Sequence, residues 1–302
     1  MLWNRVTALD ALRDGDLLEL GMSANQIRRN KHPEGVVTYA LRGIAPSPNV
    51  AIHDFPREED GSVSLAGIPD MEHISLDALK SLLAAQYEQL PGVTFHNLPV
   101  STHHRFSYDL PALAEALPGL HLAGVDSIHL ELEAAQPPSL LENLHSLLCA
   151  AAACRLFISA AITIGNRESL EARIETLEML RALQQESNAI QAVLVCIHHS
   201  TAADARREEE ATAVDYLKTL AVARVVLDNI AHLQTDWTVM GPKVLELALR
   251  FGADDAGTIP RSQDGSKEPL HHGGESELRR IIRDAGFRPV ERDALFRQSV
   301  LH

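Results

Sequence analysis

The chain is poor in cysteine, poor in positive charge, and has no long hydrophobic run. Three cysteines among 302 residues, Cys149, Cys154 and Cys196, are an odd number without regular spacing, which excludes a disulfide framework. Cys149 and Cys154 are five positions apart. On one helix that places them about 140° apart, so they would not share a face. All three lie in apolar wording (HSLLCAAAACRLF and VLVCI), which predicts buried, structural thiols. The formal net charge of −14 argues against a general nucleic-acid binder or a polybasic membrane anchor, because phosphate binding depends on clustered Lys and Arg. No apolar segment is long enough to span a bilayer, and the opening MLWNRVTALDALRDGD meets an acidic residue before any uninterrupted apolar run. A cytoplasmic protein without membrane or nucleic-acid partners is expected.

What is present is ordinary globular composition, 45% hydrophobic and 23% charged, in a chain long enough for one barrel-sized domain or two smaller ones. Val6 to Asn30 has a helical pattern and ends in the basic turn Arg28-Arg29-Asn30-Lys31-His32. That turn reads as a solvated helix end, since cations favour helix C-termini, or alternatively as an anion site. A strand is predicted over Gly35 to Leu41. From Val63 onward, strands and helices alternate: strands at 63–67, 93–100, 125–132, 156–164 and 190–197, and helices at 75–89, 109–117, 140–152 and 168–185. This rhythm predicts a parallel sheet, flat or closed into a barrel. Asp109 before Pro111 is a plausible helix N-cap.

The most specific wording is Leu220 to Ile259. It reads as helix, strand (His232 to Met240), a second helix begun by Gly241-Pro242, and an acidic loop, Gly252-Ala253-Asp254-Asp255-Ala256-Gly257-Thr258. Adjacent carboxylates among glycines are either a solvated turn or part of a site, and composition favours the turn. Three histidine pairs occur, His103-His104, His198-His199 and His271-His272. Neighbours on a strand point to opposite faces, so no pair by itself chelates a metal, and no metal site is expected. Arg261 to His272 has the composition of a disordered loop.

The phrases AVARVVLDNI at Ala221–Ile230, W-x-x-x-G-P-K at Trp237–Lys243 and GADDAGT at Gly252–Thr258 resemble one family, the radical-SAM enzymes of the futalosine route to menaquinone. The resemblance is above all to aminofutalosine synthase, and deazaflavin-cofactor relatives share the same tail. It covers roughly Leu9 to Phe296. It implies a (β/α) TIM-type barrel of radical-SAM type, partial or altered. One domain would span 1–302, with an N-terminal helix and strand at 1–41, the barrel at 42–259, and a loop and closing helix at 260–302.

The family holds a four-iron cluster on N-x-x-N-V-C-x3-C-x2-C. Anchored on Asn49-Val50, the three thiolate positions fall here on Ala51, Phe55 and Glu58, none of which supplies a soft ligand. The stretch from Val50 to Val63 is also too short for a helical crossover, as if the cluster loop and its helix were deleted. Neither the cluster nor S-adenosylmethionine is therefore expected as a cofactor.

Barrel sites form at the C-terminal ends of strands. The resemblance implies pocket positions at Asn166, Glu168, His199, Asp236, Asp254 and Asp255. Gly165, Glu168 and Ser169 match a G-H-x-E-T phrase in which Asn166 replaces His. Glu168 is alternatively a helix-start residue, and His199 a hydrogen-bonded structural histidine. In IHLELEA, Glu131 and Glu133 fall where the family binds methionine, without the family's glycines. Arg292 and Asp293 read as packing residues that orient the closing segment. The function implied is a degenerate aminofutalosine synthase-like protein that binds a pathway partner or small molecule and is able to form a homo-oligomer. The alternative is a non-radical enzyme working in the remnant pocket.

Overall fold

The computed structural model describes residues 3–42, 62–65, 74–89, 92–102, 109–133, 138–165, 167–198, 211–235, 240–260 and 274–298. The single N-terminal helix expected over 6–30 is two, α1 (Arg5–Asp14) and α2 (Leu17–Lys31). Gly15 turns extended at φ −60° and ψ 137°, and the Asp16 carboxylate caps α2 by accepting from the Leu18 and Glu19 N–H groups at 3.0 Å.

Beyond α2 run β1 (Val36–Arg42), β2 (Val63–Ser64), α3 (Leu76–Gln89), β3 (Phe95–His96), β4 (Leu98–Ser101), α4 (Leu110–Leu122), β5 (Ser127–Glu133) and α5 (Pro138–Ala153). They are followed by β6 (Phe157–Ile164), α6 (Leu170–Ser187), β7 (Ile190–Ile197), α7 (Ala213–Val226), β8 (His232–Thr235), α8 (Pro242–Ala248), β9 (Asp255–Pro260), α9 (Glu275–Asp284) and β10 (Arg288–Glu291). The acidic loop expected at 252–258 is thus the start of a strand, β9. Helix α4 runs through Pro118 to Leu122, past the expected end at Leu117, because Leu113, Leu117 and Leu120 are all packed into the core.

An 8-stranded sheet has the order β10-β1-β9-β8-β7-β6-β5-β4, and every neighbouring pair is parallel. A second pair, β2 with β3, continues it, since Phe95 of β3 bridges Val125 just before β5. The last barrel strand, β9, closes onto the first, β1, and β10 occupies the other edge of β1. Among the described residues no pairing joins β2 to β1 or β10. The expected strand over 93–100 is broken at Asn97, whose φ of +55° resets the pleat. Phe95 and Leu98, three apart, consequently both reach the apolar layer.

The helices cover the outer face. Ile128, Leu130 and Leu132 of β5, Ile158, Ala160, Ile162 and Ile164 of β6, and Val193, Val195 and Ile197 of β7 join Leu113, Leu117, Leu144 and Leu148 in one hydrophobic core. Their alternates face the barrel interior. This alternation explains why the prediction of buried thiols fails: Cys196 sits on the inward face of β7 and is half-buried, Cys154 is half-buried, and Cys149 on α5 is exposed beside His145. The proposed deletion over 50–61, the positions Ala51, Phe55 and Glu58, and the pairs at 103–104 and 271–272 lie outside the described residues.

Candidate functional site

The inward face of the barrel is polar along β5 and much of β6 and mixed on β7. On β5 it carries Ser127, His129 and Glu131; on β6, Ser159, Ala161 and Thr163; on β7, Leu194 and Cys196. A closed barrel normally fills these positions with bulky branched side chains. Here His129 Nδ1 meets Ser159 Oγ at 2.9 Å, and the Ser127 hydroxyl accepts the Asn97 N–H at 2.7 Å. On central strands paired on both sides, His129, Glu131, Thr163, Leu194 and Cys196 are all half-buried, while their outward neighbours are buried. Solvent therefore reaches the interior face. Nearer the strand starts, His96 Nδ1 is 2.5 Å from Asp126 Oδ1, and its buried Nε2 has no hydrogen-bond partner.

The floor of this interior is made by the C-terminal segment. The Arg292 guanidinium donates to both oxygens of the fully buried Asp255, Nε to Oδ2 at 2.5 Å and Nη2 to Oδ1 at 2.8 Å. The Thr38 hydroxyl donates to the same carboxylate at 2.6 Å. Phe296, at φ +61°, lies over Arg292 at 3.7 Å and stacks on Phe157 at 5.2 Å and His232 at 4.5 Å, which closes the strand-start end.

Asp254, one residue earlier, points the other way, into the layer between sheet and helices. Its Oδ1 is paired with Arg224 of α7 and accepts the Leu233 N–H at 2.8 Å; its Oδ2 is 2.7 Å from His232 Nδ1 and 3.3 Å from His32 Nε2. Burial pushes this carboxyl up, but Arg224, the His232 hydrogen bond and the charges of His232 and His32 outweigh it and hold Asp254 well below the usual carboxylate range. Arg224 Nε also donates to the Gly252 carbonyl at 2.8 Å. Gly252 has φ +105°, and a Cβ there would lie 2.7 Å from Arg224 Cβ, so only glycine lets the chain pass the guanidinium stem.

The solvated reading of the basic turn is corrected for Arg28. It is fully buried, donates to the Ala253 and Val36 carbonyls at 3.0 and 2.9 Å, and lies 4.0 Å over the Phe287 ring. Desolvation lowers it to about 10 against the pull of Asp254. Arg29 and Asn30 do face solvent.

Of the expected pocket set, the described members Glu168 and Asp254-Asp255 lie at opposite ends of the strands. Glu168 is engaged at the end of β6: both its oxygens accept the Gly165 N–H, at 2.9 and 3.0 Å, and Oε1 accepts Arg173 Nε at 2.6 Å. Ser169 caps α6 by accepting the Ala172 N–H at 3.1 Å. Asp254 and Asp255 are neither solvated turn residues nor strand-end pocket residues; they are ion-paired at the start of β9, the end opposite the barrel's usual site. Asn166, His199 and Asp236 lie outside the described residues. Sequence reasoning noted Glu131 on β5 but not His129 and Ser159 beside it, and missed His32 and His232, which no local spacing joins.

The strands form a parallel α/β barrel sheet with a C-terminal segment across one end. The solved structures agree in fold: methylornithine synthase (PylB) superposes with a TM-score of 0.63 over 96% of this chain and 94% of that one at 13% identity, and the [FeFe]-hydrogenase maturase HydG with 0.62 over 97% and 73% at 12%. Residues 198–300 match the CofH/MqnC C-terminal region. Along almost the whole chain the sequence is 26% identical to the cyclic dehypoxanthine futalosine synthase of Streptomyces coelicolor, covering 98% of this chain and 85% of that protein. The aminodeoxyfutalosine synthase of Thermus thermophilus is 34% identical over 46% of this chain and 40% of its own length. The chain is thus similar to cyclic dehypoxanthine futalosine synthase along its length and matches the CofH/MqnC model over its C-terminal third.

The sequence resemblance implies an iron–sulfur cluster held by three thiolates. This chain's three cysteines lie on α5, just after α5, and on β7. Among the described residues they join no group of metal-ligating side chains. The donor set does not fit a cluster.

Proposed function

We propose that this protein is an aminofutalosine synthase-like member of the futalosine route to menaquinone that works without an iron–sulfur cluster or S-adenosylmethionine radical chemistry, binding a small molecule or pathway partner. One observation carries this reading: a barrel related along its length to cyclic dehypoxanthine futalosine synthase has only three cysteines, placed on separate elements and without the C-x3-C-x2-C spacing. Cluster iron requires soft thiolate ligands gathered at one site. The polar inward face of β5 and β6 supports small-molecule binding, because buried hydroxyl, imidazole and carboxylate groups recognise a ligand by hydrogen bonds.

Anaerobic reconstitution with iron and sulfide tests the reading. The expected protein is colourless and retains no stoichiometric iron; a brown protein holding about four irons and matching sulfide per chain overturns it.

A second reading, an enzyme acting on a menaquinone-precursor-like substrate without a radical, is favoured by the half-buried His129 and Glu131 facing the open interior. It draws on these residues instead of Glu168 and Asp254, whose oxygens are already engaged. Under this reading His129→Ala and Glu131→Ala lower turnover of a pathway intermediate by about a hundredfold or more, as expected for loss of a general acid or base. Unchanged turnover of every tested intermediate removes it.

A further inference from the structure

We propose that His32, His232 and Asp254 form a site for one divalent cation of the Zn²⁺ type, at the strand-start end of the barrel and apart from the interior. The residues come from three segments: His32 from the C-cap of α2, His232 from the first position of β8, and Asp254 from the residue before β9. One ligand atom of each lies within 4.8 Å of the other two. The Oδ2 oxygen of Asp254 is the hub, 2.7 Å from His232 Nδ1 and 3.3 Å from His32 Nε2.

The surroundings resemble the support that metal ligands receive. Asp254 Oδ1 is fixed by Arg224 and the Leu233 N–H, and Oδ2, the acceptor of the His232 Nδ1 proton, takes the cation in place of that proton, which is released on binding. Glu34 lies 3.7 Å from His32 Nδ1, placed to favour the proton on Nδ1 once Nε2 gives up its hydrogen bond to the Ala231 carbonyl and takes the metal. A carboxylate behind a ligating histidine and a hydrogen bond behind a ligating carboxylate are the usual outer partners of such ligands. The Asp254 side chain is 2% exposed, while those of His32 and His232 are 16% and 24% exposed, so the hub is fixed and the imidazoles leave an entry path.

The donor set also selects the ion. Two imidazoles and one carboxylate suit Zn²⁺ and its neighbours, with a fourth position left for water. Mg²⁺ and Ca²⁺ require more oxygen ligands than one Asp supplies. The buried guanidinium groups of Arg28 and Arg224 further disfavour a cation bound by charge alone.

The imidazole rings of His32 and His232 stack at 5.2 Å with an interplanar angle of 25°, so coordination requires one ring to turn. That ring is His32. His232 is held between His32 and Phe296, whereas His32 ends a helix, and χ2 of histidine rotates in a broad well. Its hydrogen bond to the Ala231 carbonyl, 3.1 Å from Nε2, is exchanged for the metal.

Zn²⁺ titration of the metal-stripped full chain by calorimetry tests the site. One saturable ion per chain is expected, together with a higher melting temperature and, with Co²⁺, the visible bands of a tetrahedral nitrogen–oxygen site. His32→Ala and His232→Ala, each confirmed folded by circular dichroism, should weaken binding by about tenfold or more. Absence of saturable uptake overturns the proposal. So does uptake that survives in the double variant, since the chain has 15 histidines able to bind zinc adventitiously. Asp254 is left intact because its removal threatens the fold itself. The outcome is independent of the iron content of the barrel.

Discussion

Asp254→Ala is expected to destabilise the protein by about 3–5 kcal/mol, the usual consequence of removing one partner of a buried ion pair. Asp254 and Arg224 are 3% and 1% exposed, and the guanidinium that remains would be charged, buried and without a carboxylate. The Leu233 N–H and His232 Nδ1 would lose their acceptor as well. Asp254→Asn keeps the shape and removes the charge, so it separates the loss of the ion pair from the loss of packing.

The pH dependence follows from the direction of the shift. The folded carboxyl lies below its unfolded value, so its contribution is present above the unfolded value of about 4 and is lost as pH falls through the folded one. Urea unfolding should therefore show a stability gap between wild type and Asp254→Asn that is constant near neutrality and narrows below about pH 4. A gap under about 1 kcal/mol at neutral pH would contradict the assignment, since surface pairs give such values.

Arg292→Ala is the second large effect. It leaves Asp255, fully buried, with only the Thr38 hydroxyl and the Gly257 N–H, and removes the cation from beneath Phe296. A loss of about 3–5 kcal/mol is expected. Hydrogen exchange should rise most over residues 288–298, because the Arg292 pair and the Phe296 stack hold this segment across the strand-start end. The double variant Asp255→Leu/Arg292→Leu should recover much of the loss, since apolar groups of similar volume often replace a buried pair without penalty. If both variants unfold alike, the segment is held by packing of Phe296 and not by the pair.

Much of this architecture is legible along the chain. The β-branched runs at 156–164 and 190–197 and the amphipathic helices between them announce a parallel α/β sheet, for which the resemblance selects a barrel, and strands β6 and β7 begin and end within one residue of expectation. The wording of 220–259 discloses the kinship with futalosine synthases. Hydrophobic period and turn chemistry are local properties, and neighbouring residues suffice to express them.

The candidate site was less legible. The alternation SIHLELE showed a strand with one polar face, but an alternating strand is also the sign of a solvent-facing sheet. Only closure of β9 onto β1 turned that polar face inward and made it the lining of a barrel. Asp254-Asp255 among glycines had the composition of a turn. The basic partners that bury these carboxylates, Arg224 and Arg292, stand 30 and 37 residues away in sequence, and a short window cannot contain them.

The sequence by itself thus determined the class of fold, the kinship, and the lack of the thiolate spacing that a cluster needs, because each is written in residue identity and local period. The tertiary structure alone decided that Asp254 faces the helix layer while Asp255 faces the barrel, that Arg28 is core and not a solvated helix end, and that His32 and His232 meet. Those facts depend on strand register, sheet closure and the approach of distant segments. Burial and charge pairing arise from that approach, and no stretch of chain carries them before it folds.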